Sequence, residues 1–296
     1  DISGTSVYTG NTPRFILDAV LRWNFYENFE LWAGQAKLPG NRERLISSGN
    51  METVDRSLVN SRFNIDRDMG LQLHHYFELG NTFILREAFA FSQGEGRNVT
   101  TGNLGGYQYT GRIEALPFGD FSAYSGADLS RETTPKLAVG ISYDHNEDAV
   151  RSRSNSGTYM LNDTGFFHTD ISTLFVDAMF KYKGWSAMAE YANRTAENAT
   201  AVNSDGTVTG DIVNVGDGIN IQTGYVFKNN IQVTGRYTNI SLEEITGAGV
   251  ETQYTLGLSK YLVGHKLKVQ TDISLNDYEQ NIDNSFMYRL QIDFHF

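Results

Sequence analysis

Stretches of about ten residues in which apolar and polar side chains alternate recur along the whole of this chain. In 266–275, Leu267, Val269, Ile273 and Leu275 share one face, and Lys266, Lys268, Gln270, Asp272 and Ser274 share the other. Segment 230–238 sets Ile231, Val233 and Tyr237 against Gln232, Thr234, Arg236 and Thr238. Segment 107–115 sets Tyr107, Tyr109, Ile113 and Ala115 against Gln108, Thr110, Arg112 and Glu114. The last ten residues put Tyr288, Leu290, Ile292, Phe294 and Phe296 opposite Arg289, Gln291, Asp293 and His295. Side chains of a strand point to opposite faces with period 2, so each stretch reads as a strand with one apolar and one charged face. No stretch keeps a helical period long enough to compete.

The alternation predicts strands near 15–25, 29–38, 67–79, 82–93, 104–116, 136–146, 169–182, 185–197, 219–228, 230–242, 250–262, 265–278 and 284–296. Tight connections at 26–28, 79–81, 183–184, 228–230 and 263–265 alternate with long ones at 39–66, 94–103, 147–168, 198–218, 243–250 and 279–283. Segment 117–135 stands where the alternation calls for a tight turn, and reads as a periplasmic excursion or an additional short strand. Short turns at one end and long loops at the other describe a bacterial membrane barrel, whereas a soluble sandwich would scatter its loop lengths.

No run approaches the roughly 20 apolar residues a membrane helix needs. Mean hydropathy is negative, which a barrel tolerates because only alternate residues face lipid. The fold expected is all-β: a transmembrane antiparallel β-barrel, with 1–296 as one domain. Single-chain bacterial barrels have even strand numbers, so the odd count leads us to expect three further N-terminal strands, sixteen in all. Asp1 to Pro13 reads as an external loop, and no signal peptide precedes it. The absence of cysteine fits an oxidising compartment.

The polar faces are expected to carry Arg22, Lys37, Arg112, Lys181, Arg194, Lys228, Arg236, Lys266, Lys268 and Arg289. Opposing them are Asp18, Glu114, Asp177, Glu190, Asp272 and Asp293. The net charge of −11 argues against nucleic acid as a partner, and the surplus acid lies in the long loops. Two readings fit: solvated acidic loops with some faces misassigned, or a mildly basic, water-filled pore that prefers anions, since Arg and Lys rings are how pores select anions and phosphate.

Segment 39–66 is unlike the other loops. With its flanking residues it carries Arg42, Arg44, Arg56, Arg62 and Arg67 against Glu43, Glu52, Asp55, Asp66 and Asp68. It also carries Leu45, Ile46, Met51, Val54, Leu58, Val59, Phe63 and Ile65. An exposed loop has no use for that many apolar side chains. A loop folded into the barrel buries them against the wall and turns its charges to the channel. We therefore expect 39–66 to be the constriction, with Lys37, Arg42, Arg44, Arg56, Arg62, Arg67, Glu43, Asp55 and Asp66 at or beside it.

Here the chain resembles the phosphate-selective porin O/P family. The matching run is Gly34-Gln35-Ala36-Lys37-Leu38-Pro39, Glu43-Arg44, Ser47-Ser48, Asp55-Arg56-Ser57-Leu58 and Arg67-Asp68-Met69-Gly70-Leu71-Gln72-Leu73. Gly111-Arg112 with Pro117-Phe118-Gly119, and Gly184-Trp185-Ser186 with Glu190-Tyr191, extend it. The resemblance implies a sixteen-stranded homotrimeric porin in the bacterial outer membrane, bedded in lipid and lipopolysaccharide. Its third external loop folds inward, and its function is ion transport, as an anion or phosphate channel.

Catalytic and metal constellations are not expected. Adjacent His74 and His75 point to opposite faces and cannot chelate one metal. No Gly-x-Ser-x-Gly nucleophile turn occurs. The expectation is a passive porin for small anionic or neutral solutes, without cofactor. The rival readings are an accessory barrel subunit of a larger outer-membrane complex and an outer-membrane hydrolase.

Overall fold

The computed structural model describes residues 16–80, 82–99, 103–279 and 283–294. Nineteen strands occur among them: β1 (Ala19–Tyr26), β2 (Phe29–Lys37), β3 (Arg67–Leu79), β4 (Phe83–Ser92), β5 (Gln108–Leu116), β6 (Lys136–Ala149), β7 (Arg151–Arg153), β8 (Ser156–Tyr159), β9 (Leu161–Asn162), β10 (Gly165–Phe166), β11 (Thr169–Tyr182), β12 (Trp185–Ala196), β13 (Thr200–Val202), β14 (Val208–Ile212), β15 (Gly216–Val226), β16 (Ile231–Leu242), β17 (Val250–Val263), β18 (Leu267–Tyr278) and β19 (Ser285–Phe294). Thirteen of them form one sheet in the order β1-β2-β3-β4-β5-β6-β11-β12-β15-β16-β17-β18-β19, and each neighbouring pair is antiparallel. These are the thirteen strands the alternation predicts. Residue 15 of the first predicted strand, and His295 and Phe296 of the last, lie outside the described residues.

Burial follows the alternation. On β5, Gln108, Thr110, Arg112 and Glu114 are buried while Tyr109 and Ile113 are exposed. On β19, Tyr288, Leu290, Ile292 and Phe294 are all more than half exposed. The apolar face is the outer one, as a lipid-facing wall requires.

The tight turns fall at one end of the sheet. At Lys183-Gly184 both residues take positive φ (50° and 92°) while Tyr182 pairs with Trp185. That is the two-residue hairpin whose twist matches the flanking strands, and glycine at its second position carries no Cβ penalty there. At the other end the long loops form small hairpins of their own, β7 with β8, β9 with β10 and β13 with β14. Met160, Phe167, Ala201, Val213 and Val215 pack those loops together over Ile171.

The sheet curls round residues 38–66. Arg112 on β5, Asp177 on β11, Arg194 on β12, Arg236 on β16, Asp272 on β18 and Arg289 on β19 all bond to that one segment. Adjacent strands lie about 4.8 Å apart, so side chains of a flat sheet this wide could not converge so. β1 and β19 are its edges, and among the described residues they do not pair with each other. No described helix is long and apolar enough to cross a membrane, which says nothing of strands.

Candidate functional site: a filled side and an open side of the inner wall

Segment 38–66 enters after β2 and lies against the concave face. It contains a short helix at Arg42–Leu45 and a longer one at Leu58–Phe63. Ser57 caps the second, its hydroxyl accepting from the Asn60 N–H at 3.2 Å. The apolar residues are buried in two groups. Val59, Phe63 and Ile65 pack on Phe175, Ala192 and Ile240 of the wall. Ile46 and Met51 pack on Leu116, Met179 and Met188.

The wall's buried cations hold this segment by its backbone. Arg194 donates to the carbonyls of Arg62, Phe63 and Asn64 at 3.1, 2.5 and 3.4 Å. These close the helix Leu58–Phe63, where orphan carbonyls and the dipole favour a cation. Lys268 donates to Met51 O (2.9 Å), Arg236 to Asp55 O (2.7 Å) and Arg112 to Gly40 O (3.0 Å). Wall carboxylates do the complementary work. Asp272 accepts from Val54 N (2.9 Å) and Glu190 from Glu43 N (2.7 Å). Glu52, at the segment's tip, accepts from Gln222, Gln232 and Ser186.

Segment 117–135 is a second insertion, from the short-turn end, and not the periplasmic excursion or additional short strand expected. Phe121, Ser125, Ala127 and Asp128 are buried. Lys181 donates to Ala123 O at 2.9 Å, and Asp128 accepts from Gly184 N at 2.7 Å. The two insertions meet where Gly126 N donates to Asn50 O (2.9 Å) and Arg42 donates to the Tyr124 hydroxyl (2.9 Å). Burial pushes the Tyr124 hydroxyl up to about 12, so it stays a neutral partner for Arg42 at neutral pH.

The predicted constriction charges are mostly committed to partners. Arg42 is fully buried and pairs with Asp177 (2.6 Å) and Glu114 (2.7 Å). Arg44 binds Asp66, Arg62 binds Glu251 (2.8 Å), and Arg67 binds Asp18 (2.9 Å). Arg56 donates to the carbonyls of Glu43 and Ile46. Glu43 accepts from the N–H and hydroxyl of Ser57, and Asp55 pairs with Arg289. Burial alone would raise the Asp66 carboxyl, but the bond and charge of Arg44, with Arg67, hold it below the usual range. The lumen expectations need two corrections. Lys228 and Lys266 sit exposed in the turns after β15 and before β18, where their charges stay in water, and they do not face the lumen.

Open space remains along β1 to β5, as a cavity of about 690 Å3. Of the predicted constriction residues only Lys37 borders it; of the predicted polar-face residues, Arg22, Arg112, Asp18 and Glu114 do. Trp32, Arg86 and Tyr124 also line it, and sequence reasoning passed them over; His74, weighed there only as a metal ligand, lines it too. Trp32 carried a legible signal. It lies between outward-directed Leu31 and Ala33 and shares its parity with Glu30, so it must point inward. Arg86 is paired with Glu114 (3.4 Å) and Asp120, and Arg112 with Asp177 (2.7 Å). Lys37 donates to the carbonyls of Leu45 and Ile46, and Arg22 rests on the Trp32 ring. Among the described residues, neither Lys37 nor Arg22 makes an ion pair. His74 stacks inward on Trp32 and His75 outward on Phe29, on opposite faces as expected. No group of three or more potential metal ligands occurs among the described residues.

The protein family described as phosphate-selective porin O and P matches residues 2–294. Among solved structures, one that is similar is a loop L8 deletion mutant of OmpT, an outer membrane protein of Vibrio cholerae. It is 14% identical, the match covers 91% of this chain and 76% of that one, and the TM-score is 0.48. Acinetobacter baumannii OccAB1 is 10% identical, over 93% of this chain and 66% of that one, with a TM-score of 0.49. The trimer form of in-vitro folded Vibrio cholerae OmpT is 12% identical, over 92% and 75%, with a TM-score of 0.47. No curated protein matches.

Proposed function

The chain belongs to the phosphate-selective porin O and P family and is a porin of the bacterial outer membrane; from that premise we propose a passive channel for small hydrophilic solutes, weakly preferring anions. The observation that carries the reading is the cavity along β1 to β5: Arg22 and Lys37 border it and, among the described residues, make no ion pair, while of its carboxylates Asp18 and Glu114 are paired with arginines and Glu27, Glu30 and Glu87 also line it. Both insertions narrow the lumen from the opposite side. Charge inside a narrow lumen outweighs charge on outer loops, which salt screens beyond roughly 8–10 Å. Inorganic phosphate as the preferred solute has weaker support, since the buried Arg and Lys are already bonded to carbonyls and carboxylates. The reading involves no catalysis and no cofactor. Family membership and the broad apolar outer face support a homotrimer set in lipid and lipopolysaccharide.

Reversal potentials under a salt gradient test the selectivity. The parent channel is expected to prefer anions weakly, and Arg22→Ala with Lys37→Ala to move the potential toward cations. A parent channel that already prefers cations contradicts the reading.

A further inference from the structure

The open wall carries a stacked ladder. Arg22, Trp32 and His74 stand on three successive strands, and their inward side chains touch in that order. The Arg22 guanidinium carbon lies 3.8 Å from the centroid of the Trp32 ring, and the His74 ring lies 4.3 Å from Trp32 at a 30° tilt. Glu30 fixes the indole edge, accepting its N–H at 2.6 Å, and the Gln72 amide oxygen lies 3.0 Å from the His74 ring nitrogen. The other guanidiniums that border the cavity, Arg86 and Arg112, are bound by carboxylates, while Arg22 is exposed and rests on the Trp32 ring.

The geometry points to this ladder as a binding subsite for planar organic anions, of the aromatic carboxylate class. This rests on the porin reading above and names a solute class for the same channel. A guanidinium lying on a ring keeps its N–H edge for a carboxylate, in the bidentate fit that a lysine lacks. With its carboxylate held so, a flat solute ring lies in the plane of the guanidinium and widens that layer of the stack beside the indole. A bare oxyanion gains less. Among the described residues, the other cation bordering the cavity without an ion pair is Lys37, five residues along β2 from Trp32. At about 3.3 Å per residue that places the two charges on the order of 16 Å apart, too far for one phosphate to bridge.

The test uses the full chain in planar bilayers, with benzoate, cyclohexanecarboxylate or inorganic phosphate added to a chloride electrolyte at constant ionic strength. Benzoate should reduce the chloride current in a saturable way. Its half-blocking concentration should be about three- to tenfold below that of cyclohexanecarboxylate, which has the same charge and similar size but no flat face. Trp32→Leu should erase that difference. Arg22→Lys should weaken benzoate block, because an ammonium lacks the bidentate fit. Equal block by the two carboxylates, or stronger block by phosphate than by benzoate, overturns the subsite. An anion-preferring channel with no benzoate preference overturns this inference alone, whereas a cation-preferring channel overturns the reading beneath it.

Discussion

The two sides of the inner wall use the same residue types for different ends. On the filled side, Lys181, Arg194, Arg236 and Lys268 are buried, and each donates to a backbone carbonyl of an inserted segment. On the open side, Arg22 lies on an indole and Lys37 rests at the rim of the insertion, both facing the cavity. A buried cation needs partners for its donors, and here backbone carbonyls supply many of them, with Thr173, Thr53 and Gln253 taking others and Arg236 Nε left without one among the described residues. A cation in water has no such need and remains available to solute. Lumen charge alone therefore does not describe this pore; what matters is how much of that charge the insertions consume.

Substitutions should separate the sides most sharply at Asp177. It binds both Arg42 and Arg112, and removing one partner of a buried pair typically costs about 3–5 kcal/mol. Asp177→Ala should therefore lower the urea midpoint of the folded barrel strongly, and an unchanged midpoint would show that the cluster does not anchor the insertion. Charge on the outer face comes next. Leu290→Lys should cost about 2–4 kcal/mol near the bilayer midplane, read as loss of heat-modifiable gel mobility. Full retention of that mobility would mean that this face does not meet lipid. Deleting residues 45–60 should raise single-channel conductance while the barrel still folds. A value at or below the parent's would remove the constriction role. The smallest stability effect belongs to the open side. Arg22→Ala should change stability by at most about 1 kcal/mol, the worth of an exposed cation–π contact, yet move the reversal potential.

Much of this was legible in the sequence. The period-2 alternation marks every strand of the main sheet, because each has an apolar outer face. The small hairpins β7 to β10 and β13 with β14 escaped, since strands of two to five residues in polar loops have no face to alternate. The apolar excess of 39–66 announced its burial, and Ile46, Val59, Phe63 and Ile65 are indeed inaccessible to solvent. Which of its arginines stay open was not legible. Arg42 and Arg44 look alike in sequence, and their partners, Asp177 for one and Asp66 for the other, are set by tertiary pairing. The surplus length of 117–135 was visible, but its inward path depends on contacts such as Tyr124 with Arg42 and Lys181 with Ala123 O.

The chain has no cysteine, so single cysteines can be placed on each side of the wall without background reaction. In conducting channels, Arg22→Cys should react readily with a negatively charged thiol reagent and lose current. Lys181→Cys, beneath the second insertion, should be left almost unmodified over the same time. Equal modification of both positions, or modification of the Lys181 position alone, would contradict an open path along β1 to β5 beside a filled wall.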